Sequence, residues 1–152
     1  MSPRKTYYVI YRKSPTQENP WNLSLIVITE NPQAVGEFVS AAAQRQAMRV
    51  QDLEDQQPCI SYRWYGETLL MKVKANPYLD HHAVYFAKTH HDDTLDVLFD
   101  DEEVQSWMLT EYDLAQDNHD FVMKNVIHGS YNDFTFASHT IYKVAFPTYT
   151  MT

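Results

Sequence analysis

Two runs of alternating apolar residues, separated by a two-residue step, set the strongest constraint on how this chain can fold. The apolar positions are Ile60, Tyr62, Trp64, Leu69, Met71 and Val73. Alternation with a period of two is typical of a strand that buries one face. The step Gly66-Glu67 between the runs is typical of a hairpin turn. Residues 60–73 are therefore predicted to form two antiparallel strands.

Other strand patterns occur along the chain in groups. They cover residues 6–13, 23–29, 84–88, 95–99 and 140–146. Segments 84–88 and 95–99 predict a second hairpin, because the five residues 89–93 are a common length for a hairpin loop. Four consecutive aliphatic residues, from Leu25 to Ile28, indicate a strand that is buried on both faces. We therefore expect strand 23–29 at the centre of a sheet.

Three segments have helical patterns. Asn31 is a suitable N-cap, and Pro32 suits the first position of a helix that we end near Ala47. The apolar face of this helix consists of Val35, Phe38, Val39, Ala42 and Ala43. A second helix is predicted to open at Asp100 or Asp101, and a third, short helix to cover residues 118–127.

These patterns together indicate the fold class. The strands come in runs and do not alternate strictly with helices, which favours an α+β fold over a parallel α/β fold. A chain of 152 residues is near the usual size of one domain. We therefore predict a single α+β domain over residues 1–152. We expect it to hold a mostly antiparallel sheet of about five to seven strands, with two or three helices packed against the sheet.

The cellular context is inferred from a few residues. Cys59 is the single cysteine, so no internal disulfide can form and a reducing compartment is expected. The basic N-terminal residues precede an apolar run that is too short and too polar for a signal peptide. The longest aliphatic run, Leu25 to Ile28, is far shorter than a membrane span. We expect a cytoplasmic protein with no membrane partner.

The negative charge of the chain is concentrated in one stretch. The formal net charge is −8, yet residues 1–88 sum to +2 and residues 124–152 sum to +1. Residues 89–123 contain eleven acidic residues and no Lys or Arg. These acids are Asp92, Asp93, Asp96, Asp100, Asp101, Glu102, Glu103, Glu111, Asp113, Asp117 and Asp120. Such a single-sign patch destabilises a folded state through repulsion, so its presence calls for a reason.

We interpret this stretch as a surface that binds a basic protein partner. The chain would be a non-enzymatic binding or inhibitor protein, with carboxylates in place of the phosphates that a nucleic-acid-binding partner normally contacts. Small viral counter-defence and immunity proteins offer an analogy. The expected contact residues are Asp100, Asp101, Glu102, Glu103, Trp107, Glu111, Asp113 and Asp117. Trp107 is expected at the edge of this surface, where aromatic residues often anchor an interface. Tyr112 and Tyr131 are further candidate anchors.

The same residues allow other interpretations. An acidic helix often serves only to keep a protein soluble, and carboxylates can also bind a hard cation. An acidic chain is a poor binder of nucleic acid and of anionic membranes, so we expect neither as a direct partner. Three glycines leave no Gly-rich phosphate loop, and no cofactor is predicted.

Seven histidines suggest a metal or catalytic site as an alternative. The doublets His81-His82 and His90-His91 are separated by a predicted strand of roughly 3.3 Å per residue, so about 26 Å lies between them. Zinc ligands lie about 2 Å from their metal, so these doublets cannot share one ion unless the strand is broken. One doublet could still bind a metal together with His128 or His139. A hydrolase or phosphoesterase that uses His128 and Ser130 with another histidine remains an alternative.

Eleven tyrosines suggest a third function class. Tyr7, Tyr8 and Tyr11 crowd the first strand, where aromatic residues pack well on a half-buried sheet. The same side chains would suit a structural or assembly subunit if they were exposed. Core packing is the simpler interpretation.

Overall fold

The structure is a computed structural model that describes residues 5–42, 45, 60–75, 83–98, 100–110 and 115–146. These residues belong to two structural units. The described residues up to 75 belong to one unit, and those from 83 to 146 belong to the other. We call them the first and the second unit. The prediction of a single domain over residues 1–152 stays a prediction.

The first unit contains a four-stranded antiparallel sheet. Its strands are β1 (Lys5–Lys13), β2 (Leu23–Thr29), β3 (Ile60–Tyr65) and β4 (Thr68–Ala75), in the order β2-β1-β4-β3. The predicted hairpin at residues 60–73 is confirmed. Gly66 lies in its turn with a φ of 62°, a left-handed conformation that glycine adopts without steric penalty.

β1 occupies the interior of this sheet and carries its tyrosines into the core. Tyr7, Tyr8 and Tyr11 are all buried, as are Val9 and Ile10 between them. Core packing is therefore confirmed for the tyrosines of the first strand. Because β1 is buried on both faces over five consecutive residues, its sequence is apolar and aromatic without strict alternation.

The position predicted for β2 is wrong. Among the described strands β2 pairs only with β1, which places it at an edge of the sheet. Leu25 and Ile26 are 47% and 37% exposed. An aliphatic run raises β propensity at an edge as well as at the centre, so the run predicted the strand and not its neighbours.

The first predicted helix is interrupted rather than continuous. Asn31 caps it as predicted, and its side chain accepts a hydrogen bond of 3.0 Å from the backbone N–H of Gln33. The segment Pro32–Glu37 is a 3₁₀ helix, the chain is not helical at residues 38–40, and the described residues 41, 42 and 45 are α-helical. Gly36 lowers the helical propensity of this turn. Part of the predicted remainder, up to Ala47, lies outside the described residues.

The second unit contains another four-stranded antiparallel sheet. Its strands are β5 (Ala83–Thr89), β6 (Leu95–Leu98), β7 (Asp133–Thr135) and β8 (His139–Ala145), in the order β6-β5-β8-β7. The predicted β5–β6 hairpin and the last strand are confirmed. β7 was not predicted, because three residues are too few to show an alternating pattern.

Helical segments cover the chain between β6 and β7. They are α1 (Asp101–Thr110), α2 (Ala115–Val122) and a π-helix (Met123–Ile127). α1 and the combined α2 and π-helix match the second and third predicted helices. Their buried side chains join those of β5 and β8 in one hydrophobic cluster. The cluster includes Tyr85, Val104, Trp107, Met108, Val122, Val126 and Ile141.

The described part of the chain has an α+β fold, as predicted. It contains eight strands in two antiparallel four-stranded sheets, where one sheet of about five to seven strands was expected. No helix within the described ranges is both long enough and apolar enough to cross a membrane.

Candidate acidic binding surface

The predicted acidic residues with the clearest exposure lie in the first turn of α1. We call Asp101, Glu102 and Glu103 the acidic turn; all three are exposed. Negative charge at this end of a helix complements the helix dipole. Burial and then the charge of Asp101 raise the pKa of Tyr85 to about 12. The hydroxyl of Tyr85 therefore stays neutral beside the acidic turn at physiological pH.

Asp100 has a local structural role. It precedes α1, and its carboxylate accepts a hydrogen bond of 2.9 Å from the backbone N–H of Glu103. Its backbone carbonyl accepts another, of 3.1 Å, from Val104. Asp100 is thus the N-cap of α1, a role that fixes the direction of the acidic turn.

Asp92 and Asp93 organise the β5–β6 turn. The carboxylate of Asp92 accepts hydrogen bonds from the Thr89 hydroxyl and from the backbone N–H of Thr94. These bonds, with the Thr89 hydroxyl first, lower the pKa of Asp92 to about 2. Asp93 lies 3.9 Å from Lys88 Nζ, which also donates to backbone carbonyls of the same turn. Both acids therefore have a structural role within the β5–β6 hairpin.

The prediction that Trp107 lies at the edge of the surface is wrong. It is 5% exposed, and its ring packs against Phe136 with centroids 5.7 Å apart. Its indole N–H donates a hydrogen bond of 3.0 Å to Asp96 Oδ2. The helical position of Trp107, three residues after buried Val104, places it on the core face of α1. Asp96, another acid of the predicted stretch, therefore binds a core side chain and has a structural role.

The remaining predicted contact residues are only partly described. Glu111 and Asp113 lie outside the described residues, and so does the side chain of Asp117, whose backbone belongs to α2. Asp120, on the same helix, is exposed and accepts a hydrogen bond of 3.1 Å from His119. In the described part, the exposed acids of the stretch that neither cap α1 nor organise the β5–β6 turn are the acidic turn and Asp120.

Two exposed aromatic residues accompany these acids. Phe121 and Tyr131 are 42% and 51% exposed, and their rings meet edge to face with centroids 5.8 Å apart. Tyr131 was a candidate anchor in the sequence, whereas Phe121 was missed. A signal was present: Phe121 directly precedes Val122, which with Val126 is buried, so Phe121 lies off the core-facing side of its helix.

The fold brings His90, of the second doublet, close to His139, a combination that the sequence left open. β5 pairs Thr89 with His139 of β8, which places His90 beside the same strand. His90 Nε2 lies 3.0 Å from Thr140 Oγ1, and His139 Nδ1 lies 2.7 Å from Ser138 Oγ. Burial lowers the pKa of both histidines. His139 is 4% exposed, a placement that suits a structural role.

The described residues show no arrangement of side chains that supports the metal or catalytic alternatives. β5 is a strand from Ala83 to Thr89, as the spacing argument assumed, and His81 and His82 lie outside the described residues. In the ranges that the structure describes, no group of three or more His, Cys, Asp or Glu is placed to hold a metal ion. His128 and Ser130 lie exposed in the bend after the π-helix, and their catalytic use stays a prediction.

Comparisons of this chain with models of protein families, with curated proteins and with solved structures found no match.

Proposed function

We propose that this chain is a non-enzymatic binding protein whose second unit presents an acidic surface to a basic protein partner. One observation carries the proposal: the excess negative charge belongs to a single unit. Segment His81–Pro147 contains twelve acidic residues and three lysines, a formal charge of −9, whereas the rest of the chain sums to +1. Complementary charge across an interface speeds encounter and rejects wrong partners.

The placement of the lysines strengthens this argument. Lys88 Nζ donates to the carbonyls of Thr89 and Asp92, at 2.8 and 2.9 Å. Lys143 Nζ donates to the carbonyl of Val126 at 2.9 Å. Two of the three cations thus serve the backbone of their own unit. They offset little of the charge that the acidic turn presents to solvent.

A partner whose basic face normally holds nucleic acid fits this surface. Carboxylates held on a helix can occupy the positions of backbone phosphates, because Lys and Arg bind both groups with charge-assisted hydrogen bonds. The function would then be inhibition, since an occupied basic face is closed to nucleic acid. The acidic turn, capped by Asp100, is the described part of the surface best suited to that contact.

The proposal is tested by reversing the charge of the acidic turn. The variant carries Asp101→Lys, Glu102→Lys and Glu103→Lys, and the probe is a fluorescein-labelled decalysine peptide followed by fluorescence anisotropy. Three exposed ion pairs at about 0.2–1 kcal/mol each predict a loss of affinity between about threefold and about 150-fold. Raising NaCl from about 50 to 200 mM should weaken wild-type binding, because salt screens exposed charges.

A matched control separates the surface from the net charge. Glu18, Glu37 and Glu67 are exposed acids of the first unit, and replacing all three with Lys changes the charge by the same amount. This control variant should keep most of the affinity for the peptide. Equal losses in the two variants would contradict a binding surface on the second unit. Circular dichroism checks that both variants remain folded.

A further inference from the structure

The exposed aromatic pair of Phe121 and Tyr131 suggests how a basic partner is anchored. We infer that this pair receives an arginine side chain of the partner, whose guanidinium stacks on the rings. This inference rests on the proposed function, because it names the partner side chain that the acidic unit would bind. It adds a specific anchor to a surface that charge alone would leave unselective between lysine and arginine.

The pair is the outer end of a continuous row of aromatic rings. Phe121 packs against Phe134 with centroids 5.3 Å apart, and Phe134 packs against Phe136 at 4.9 Å. Phe136 in turn packs against buried Trp107. The exposed rings are therefore supported from the core, whereas an isolated surface aromatic residue would be free to move. Rigid aromatic anchors lose little conformational entropy on binding.

Backbone contacts hold the segment that carries Tyr131. The N–H of Tyr131 donates to the carbonyl of Asn125 at 2.9 Å. Lys143 Nζ donates to the carbonyl of Gly129 at 3.2 Å. This segment follows directly on the π-helix, a rare element that is frequent at functional sites. The position of the Tyr131 ring is thus set by the fold before any partner binds.

Charge selects the occupant of this patch. Asp120, which is exposed, directly precedes Phe121 in α2, and the unit that carries the pair has a formal charge of −9. A second copy of the unit would meet this patch with the same large negative charge, which disfavours self-association. A cationic side chain gains from the negative potential of the unit and from the negative ring faces together. Arginine is preferred over lysine because its planar guanidinium stacks on aromatic rings and is more weakly hydrated.

The test compares fluorescein-labelled decaarginine with decalysine, which carry the same formal charge. Phe121→Ala and Tyr131→Ala should each weaken decaarginine binding by about two- to fivefold, the contribution of one exposed cation–π contact. Decalysine binding should change much less in the same variants. Tyr131→Phe keeps the ring and should bind both peptides as the wild type does. Trp21→Ala, which removes an exposed aromatic residue of the first unit, should leave the binding of both peptides unchanged.

The outcomes separate this inference from the proposed function. Loss of decaarginine affinity only in the alanine variants of the pair supports the anchor. Equal losses for both peptides, or none, would overturn the anchor. The proposed function would still stand if Asp101→Lys, Glu102→Lys and Glu103→Lys together weaken both peptides. A wild-type protein that binds neither peptide would refute both proposals. Thermal unfolding followed by circular dichroism confirms that each alanine variant is folded.

Discussion

Replacing Gly129 with alanine tests how tightly the segment before Tyr131 is built. An added Cβ would lie 2.5 Å from the carbonyl oxygen of Asn125, 2.8 Å from Asn125 Cα and 2.8 Å from the carbonyl oxygen of Lys124. All three atoms belong to the backbone of the π-helix, so no side-chain rotation can relieve the contacts. The backbone must shift, and the hydrogen bond from Tyr131 to Asn125 lies at the same carbonyl.

The expected cost of Gly129→Ala follows from these contacts. Overpacking that forces a backbone shift costs about 1–3 kcal/mol, and a weakened hydrogen bond adds about 0.5–1.5 kcal/mol. We therefore expect the free energy of unfolding of the second unit to fall by about 2–4 kcal/mol. Urea unfolding measures this, with Trp107 as the only tryptophan after Trp21→Phe and Trp64→Phe. Since Trp107 is a core residue of the second unit, its fluorescence reports on that unit.

A glycine of the first unit supplies the control. At Gly66 an added Cβ meets no atom within 4 Å, but the φ of 62° costs a residue with a side chain about 1–2 kcal/mol. Gly66→Ala should therefore shift the Trp107 transition by less than Gly129→Ala does. A loss below about 0.5 kcal/mol for Gly129→Ala would refute the steric reasoning. It would show that the π-helix and the following bend adjust freely.

Two further predictions concern buried and half-buried polar groups of the second unit. Burial lowers the pKa of His90 and His139 below the ordinary value of 6.5, so the unfolded chain binds more protons than the folded one near that pH. The free energy of unfolding should be highest above about pH 7.5 and fall as the pH drops through 6.5. Replacing both histidines with glutamine should flatten this pH dependence. An unchanged slope in that variant would contradict the assignment of the pH dependence to these histidines. Lys143→Met removes the cation that binds the carbonyls of Val126 and Ile127 at the end of the π-helix and of Gly129 after it. It should cost about 1.5–3 kcal/mol in urea unfolding. Lys124→Met, at an exposed position of the same helix, should stay within about 0.5 kcal/mol of the wild type.

The elements that the sequence predicted well are those with local signals. The hairpin around Gly66 combines alternating residues with a turn residue, and both signals act within a few positions. The α1 start combines the cap Asp100 with acids in the first turn, which again is local chemistry. The edge position of β2 has no local signal, because it depends on which strands the rest of the chain supplies. β7 is defined by its pairing with β8 rather than by its own three residues.

The candidate site shows the same division between local and tertiary information. The sequence showed the excess of acidic residues, but it did not show the structural roles of individual acids. Asp96 became the acceptor for Trp107 only through the packing of α1 on the sheet, across eleven positions of the chain. The exposure of Phe121 and its contact with Phe134 likewise required the sheet to place β7 beneath α2.

The confinement of the excess negative charge to one structural unit is the strongest argument for a binding role. Repulsion among like charges destabilises the unit that carries them, and spreading the same acids over both units would lower that cost. Local structural roles explain Asp92, Asp96 and Asp100, but the acidic turn and Asp120 remain at the surface of one unit. Net solubility alone would be served equally well by acids on either unit. Their concentration in the unit that also carries a supported aromatic pair is expected of a protein that binds a cationic partner.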